Sequence, residues 1–158
     1  MRRHRGISMI AVAAALTAAS CTDAGERPDG DSTEGRTTAV AAPPCPADHR
    51  YGTGLAEVAG TPGVFWALLF IDGAELRAGR LTKIAFRITG HGDLTLAAEG
   101  PDGARVEPAD VTGHTGGSTW QRPGDEWGSQ WTFPTAGCWT VRAERTDGTR
   151  AALSLRAG

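Results

Sequence analysis

The sequence predicts an all-β fold, an antiparallel β-sandwich, placed after a signal peptide and a disordered tether. Three observations carry this reading. From Tyr51 onward apolar residues recur mostly at every second position, and no segment after the leader has helical periodicity. The alternating stretches are short and are separated by Gly-rich turn sequences. Two cysteines, Cys45 and Cys138, bracket most of this region, as a staple on an exported domain would. The chain of 158 residues divides into a signal peptide (1–20), a lipidated N-terminus with its linker (21–44) and a sandwich domain (45–158). The last is long enough to bury a core without a metal or cofactor.

Each strand has its own signature. Val64 to Ile71 is a continuous apolar run between Pro62-Gly63 and Asp72-Gly73, which suits a strand buried on both faces. Leu81 to Thr89 places Ile84, Phe86 and Ile88 on one face and Lys83 and Arg87 on the other. Gly90 to Asp93 turns the chain, Leu94, Leu96 and Ala98 resume the alternation, and Gly100 to Gly103 turns it again. Trp131 to Phe133 reads as a short strand. Cys138 to Glu144 alternates Trp139, Val141 and Ala143 against Thr140 and Arg142. Asp147-Gly148 is a hairpin signal, with Leu153 and Leu155 on the returning strand.

Before the domain the composition changes twice. Met1 to Gly6 is basic, and Ile7 to Ala19 is an apolar stretch of signal-peptide length, too short to span a membrane as a helix. Leu16 to Cys21 (LTAASC) resembles the bacterial lipobox, with Ala18 where that pattern prefers Leu. The resemblance implies that Cys21 takes a diacylglycerol thioether and becomes the mature N-terminus. Acyl chains on one cysteine hold a protein to a membrane at about 0.8 kcal/mol per buried CH₂. Thr22 to Pro44 is rich in Gly, Pro, Asp, Glu, Ser and Thr and has no aromatic residue, so it cannot offset its ordering entropy and is expected to be a flexible spacer.

With Cys21 given to lipid, Cys45 and Cys138 remain to pair. Cys138 has the opposite parity to Trp139 and Val141. The bond is therefore expected to clip the N-terminal segment to an outer face or sheet edge rather than to cross the core.

The segment Phe133 to Val141 (FPTAGCWTV) resembles the turn-into-strand corner of many immunoglobulin-like sandwiches, which implies an immunoglobulin-like fold and nothing about activity. The run from Ser118 to Trp139, together with Trp66 to Phe70 and Lys83 to Arg87, is similar to a group of exported actinobacterial lipoproteins of unassigned function. That similarity spans most of the domain and implies no catalytic or binding residue.

Candidate chemistry is sparse. The whole-chain net charge is −2 and becomes more negative once leader residues Arg2, Arg3 and Arg5 are removed. Such a surface does not suit nucleic acid, which needs a basic footprint. His114, Ser118 and Asp125 include the side chains of a Ser–His–Asp set but share one loop without scaffolded spacing. Asp125 and Glu126 are adjacent, so in an extended segment they point apart. His49, His91 and His114, with Asp93 or Asp110, lack metal-ligand spacing. No catalytic residue, metal or cofactor is expected. Four of the five tryptophans lie between Trp120 and Trp139. Trp139 shares a face with Val141 and belongs in the core. Trp120, Trp127 and Trp131 sit in or beside a Gly- and Pro-rich loop, and Trp127 is expected to be partly exposed. The expectation is a non-catalytic, membrane-anchored extracytoplasmic domain that binds a protein or envelope component. The alternative is a carbohydrate-binding module with Trp120, Trp127 and Trp131 as its stacking surface.

Overall fold

The computed structural model describes residues 39–52 and 54–158. Among the described residues nine strands follow in chain order: β1 Ala56–Ala59, β2 Phe65–Phe70, β3 Leu81–Ile88, β4 Leu94–Glu99, β5 Arg105–Val106, β6 Asp110–His114, β7 Asp125–Thr132, β8 Gly137–Arg145 and β9 Arg150–Ala157. They form two antiparallel sheets, one of order β1-β2-β3-β7-β6 and one of order β5-β4-β8-β9. The all-β antiparallel sandwich is thus as expected.

Alternation builds the core because successive side chains of a strand point to opposite faces. Phe65, Ala67 and Leu69 of β2 and Ile84, Phe86 and Ile88 of β3 face Leu94 and Leu96 of β4, Trp139 and Val141 of β8, and Leu153 and Leu155 of β9. A chain of rings links the two sheets. Phe65 stacks on Phe86 at 5.4 Å between centroids, Phe86 meets Trp131 edge-on at 6.2 Å, Trp131 stacks on Phe133 at 5.7 Å, and Phe133 reaches Trp139 at 5.3 Å. The core tryptophans also satisfy their polar atoms. Trp131 Nε1 donates to Ser129 Oγ at 2.7 Å, and Trp139 Nε1 donates to the Thr135 carbonyl at 3.0 Å.

The sheets are tied at one end by a buried charge. Arg145 has the same parity as Trp139 and Val141, so its side chain points inward and is only 2% exposed. Its guanidinium donates to Asp125 on the opposite sheet at 2.7 Å and lies 5.3 Å from the Trp127 ring centroid. Asp125 is the first residue of β7 and the partner of this cation. The β8–β9 hairpin closes on Gly148 in the left-handed region (φ 86°), with Arg145 N–H donating to the Thr149 carbonyl. Asp147 in the same turn accepts from the Thr149 and His91 N–H groups, and these bonds hold its carboxyl below the usual range.

The disulfide joins Cys45 to Cys138, as expected. Residues 39–46 run as an extended strap over the outer face of β8 and β9. There Arg142 donates to the Val40 carbonyl (2.7 Å), Ser154 to that of Pro43 (2.6 Å) and Arg156 to that of Pro46 (2.6 Å). Thr61 adds a bond to the Ala41 carbonyl. Residues 39–44, read from sequence as the end of the linker, are thus held to the sheet by their backbone carbonyls rather than by apolar side chains. Cys21, the rest of the tether and the signal peptide lie outside the described residues.

Two strand assignments change. The run Val64 to Ile71 is not buried on both faces. Its outer side carries half-buried Trp66, buried Leu68 and Phe70 at 39% exposure. The short strand at Trp131–Phe133 is the end of an eight-residue β7, which absorbs Asp125 to Gln130 from the expected loop. Strands β1, β5 and β6 carry no apolar alternation strong enough to have been assigned.

Candidate functional site

The outer face of the five-stranded sheet carries the most organised surface. Registers place its residues in rows running across the strands. The middle row is Glu57, Leu68, Ala85, Gly128 and Thr112. One flanking row holds Phe70, Lys83, Gln130 and Asp110, and the other holds Trp66, Arg87, Glu126 and His114. Side chains in the middle row shrink to Ala85 and Gly128 on β3 and β7, while both flanking rows carry long ones. The result is a groove at right angles to the strands, with its floor on the smallest residues.

The segment 115–124 folds back over one side of this face. It is fixed mainly through Arg87, whose guanidinium grips Glu126 (2.9 Å) and donates to the backbone carbonyls of Arg122 (2.9 Å) and Gly124 (3.1 Å). Arg122 in turn donates to Glu57 at 2.7 Å and lies 3.9 Å over the Trp66 ring. Gly124, with φ +91°, packs so closely on the Ile88 carbonyl that a Cβ would meet it at 2.3 Å, so only glycine lets the segment re-enter β7 here. Trp120, partly exposed, hangs from this segment with its ring 5.8 Å from the Arg87 guanidinium. Two confluent hollows result. One, of about 440 Å³, lies over Lys83, Ala85, Asp110, Thr112, Gly128 and Gln130. The other, of about 420 Å³, lies between Leu55, Glu57 and Leu68 below and residues 117–120 above. They share Phe70, His114 and Glu126.

The expected three-tryptophan platform is not there. Trp131 is 0% exposed and stacked inside the core. Trp127 shares its inward parity, pairs across from Phe86 and is half-buried against the core under Arg145. Of the three, only Trp120 reaches the outer face. Residues on one strand two positions apart share a face, and Trp127, Ser129 and Trp131 took the inner one. The tryptophans therefore fall on opposite sides of the sheet and cannot be coplanar.

The other sequence candidates are dispersed. Ser118 Oγ accepts from the Trp120 N–H (3.2 Å), Asp125 is held by Arg145, and His114 is 3.9 Å from Glu126, so no hydrogen bond chains His114, Ser118 and Asp125 together. His49 lies by Asp48 and Glu75, and His91 lies in the β3–β4 turn. Among the described residues no three His, Cys, Asp or Glu side chains converge as metal ligands. The groove residues Phe70, Lys83, Ala85, Thr112, Gly128 and Gln130 were not singled out from sequence. The available signal was Gly128, a glycine inside what proves to be a regular strand.

No protein-family model, no curated protein and no solved structure matches this chain. What defines it is its architecture: a disulfide-strapped antiparallel β-sandwich with a transverse groove on one sheet and a strap on the other.

Proposed function

We propose that this protein is an extracytoplasmic lipoprotein, anchored through Cys21, whose sandwich is a non-catalytic binding module for an envelope component held in the transverse groove. The leader and the LTAASC sequence support the export and the anchor. One observation supports the binding role above all. Gly128 sits mid-strand in β7, where glycine weakens a sheet, and a Cβ built there would meet nothing closer than the Thr112 carbonyl at 3.9 Å. Nothing in the fold requires the small residue, and opposite it stands another, Ala85. Space kept open on a central strand, between walls of charged and aromatic side chains, is what a bound ligand needs.

The test is photo-crosslinking in cells from a photoreactive residue at Gln130, in the groove wall, with Arg105 on the other sheet as control. A discrete envelope adduct from position 130, absent from position 105 and lost when Gly128→Tyr fills the groove, is expected. No adduct at 130, or the same adducts at both positions, refutes the binding role. Cys21→Ser in the same strain should move the protein from the membrane to the medium. A processed variant that stays on the membrane refutes the anchor.

A further inference from the structure

The groove is built for a particular ligand chemistry. We infer that it binds a short, uncharged glycan chain lying across the strands, with Trp120 as the stacking residue. This rests on the reading of the groove as the ligand site.

The floor decides against an extended peptide. The N–H and C=O groups of β2, β3 and β7 lie in the plane of the sheet and are spent on their neighbours. Crossing β2, β3 and β7, a chain meets only Leu68 and Ala85, 7% and 4% exposed at the bottom of the groove, and the Cα of Gly128, and a peptide backbone laid there would find no ladder of partners for its own amides. A pyranose ring carries no such obligation. Its C–H face suits a flat apolar floor, and its hydroxyls lie at the rim, where side-chain donors and acceptors stand. In this groove those are Lys83, Gln130 and Asp110 on one side, Glu126 and His114 on the other, and Thr112 at the end of the floor. Asp110 is already oriented by the Thr112 hydroxyl at 3.0 Å. Trp120 and Phe70 supply aromatic surface at the two walls. Five strands at about 4.8 Å spacing give the floor a length of roughly 19 Å, room for several rings in a row.

Charge selects among glycans. Glu126 is neutralised by Arg87 and Glu57 by Arg122. What is left is one lysine, Lys83, lying over Phe70 at 4.9 Å, and one acid, Asp110. The lining is near neutral, so it offers no basic cluster to a sulfated, phosphorylated or uronate-rich chain.

The full mature chain carrying Cys21→Ser, purified without lipid, is titrated with tetrasaccharides of β-linked glucose, N-acetylglucosamine and mannose, and with a tetra-uronate. Binding is read by tryptophan fluorescence and by the amide signals of Gly128 and Thr112. At least one neutral tetrasaccharide should bind and shift both amides. Trp120→Ala and Gly128→Tyr should each weaken binding roughly tenfold or more while their thermal midpoints stay close to that of the parent. No neutral tetrasaccharide binding, a tetra-uronate binding as well as the neutral ones, or Trp120→Ala binding unchanged overturns the inference. If the tetrasaccharides fail while crosslinks from position 130 still capture an envelope protein, the glycan is wrong and the binding module stands. If both fail, so does the module.

Discussion

Three neighbouring tryptophans have three fates, and a few ångströms of register decide them. Trp131 and Trp127 share the inward parity of β7, whereas Trp120 comes before the strand and is delivered to the outer face by the segment that Arg87 and Arg122 hold down. Their indole nitrogens tell the same story. Trp131 Nε1 has Ser129, while Trp120 Nε1 and Trp127 Nε1 have no hydrogen-bond partner among the described residues. Exceptions of this kind are uncommon in settled cores. A difference in stability follows. Trp131→Ala removes a ring buried between Phe86 and Phe133 and should cost about 3–5 kcal/mol, as truncations of buried aromatics do. Trp120→Ala loses only part of a ring's burial and should cost under about 2 kcal/mol. Paired urea melts decide the matter. If Trp120→Ala proves as damaging as Trp131→Ala, Trp120 is a structural plug, and its place in the groove wall has no functional meaning.

At the scale of elements, the strap is where chemistry and topology meet. Its disulfide closes a separation of 93 residues, for which chain entropy gives roughly 4–5 kcal/mol, less any native strain. Cys45→Ser with Cys138→Ser should lower the urea midpoint accordingly and leave the circular dichroism of the folded state unchanged, because the core alternation does not pass through the strap. A spectrum that loses its β signature would make the strap a condition of folding rather than a staple. The strands legible in the sequence are those with a strong apolar pattern: β3, β4, β8 and β9 alternate, and β2 is a continuous apolar run. The placing of Cys138 on an outer face also followed from its parity. Strand β7 was hidden because Gly128 and Ser129 interrupt its alternation, one left small on the floor of the groove and the other buried as a hydrogen-bonded partner of Ile84 and Trp131. Strand β6 was hidden because it is an edge, largely exposed, with Gly113 in the middle of its alternation. The groove was illegible for a related reason. Its floor is one transverse row drawn from five strands and its walls are the rows on either side, and no window of sequence holds more than a few of these residues.

In the whole molecule the two outer faces are dissimilar. On the β1/β9 side the sheets meet through a pair of backbone bonds between Thr61 and Ala152. The chain enters along the strap, on the outer face of β8 and β9, whereas the groove lies on the outer face of β3 and β7, with the full thickness of the sandwich between them. If the proposed anchor at Cys21 holds this molecule to a membrane, the point of attachment and the point of binding are on opposite sides, and anchoring need not occlude the ligand. The consequence is measurable as accessibility. A cysteine placed at Thr112→Cys, at the end of the groove floor, should react with a membrane-impermeant maleimide as fast in the anchored protein as in the released Cys21→Ser form, each assayed in washed cells or medium without added glycan. A cysteine at Thr95→Cys, beside Val40 in the hollow at the end of the strap, should slow on anchoring, since that face is the one through which the chain arrives. Slower reaction at position 112 than at position 95 in the anchored protein would mean that the groove faces the membrane. Its ligand would then have to be sought in the lipid surface rather than among the glycans and proteins beyond it.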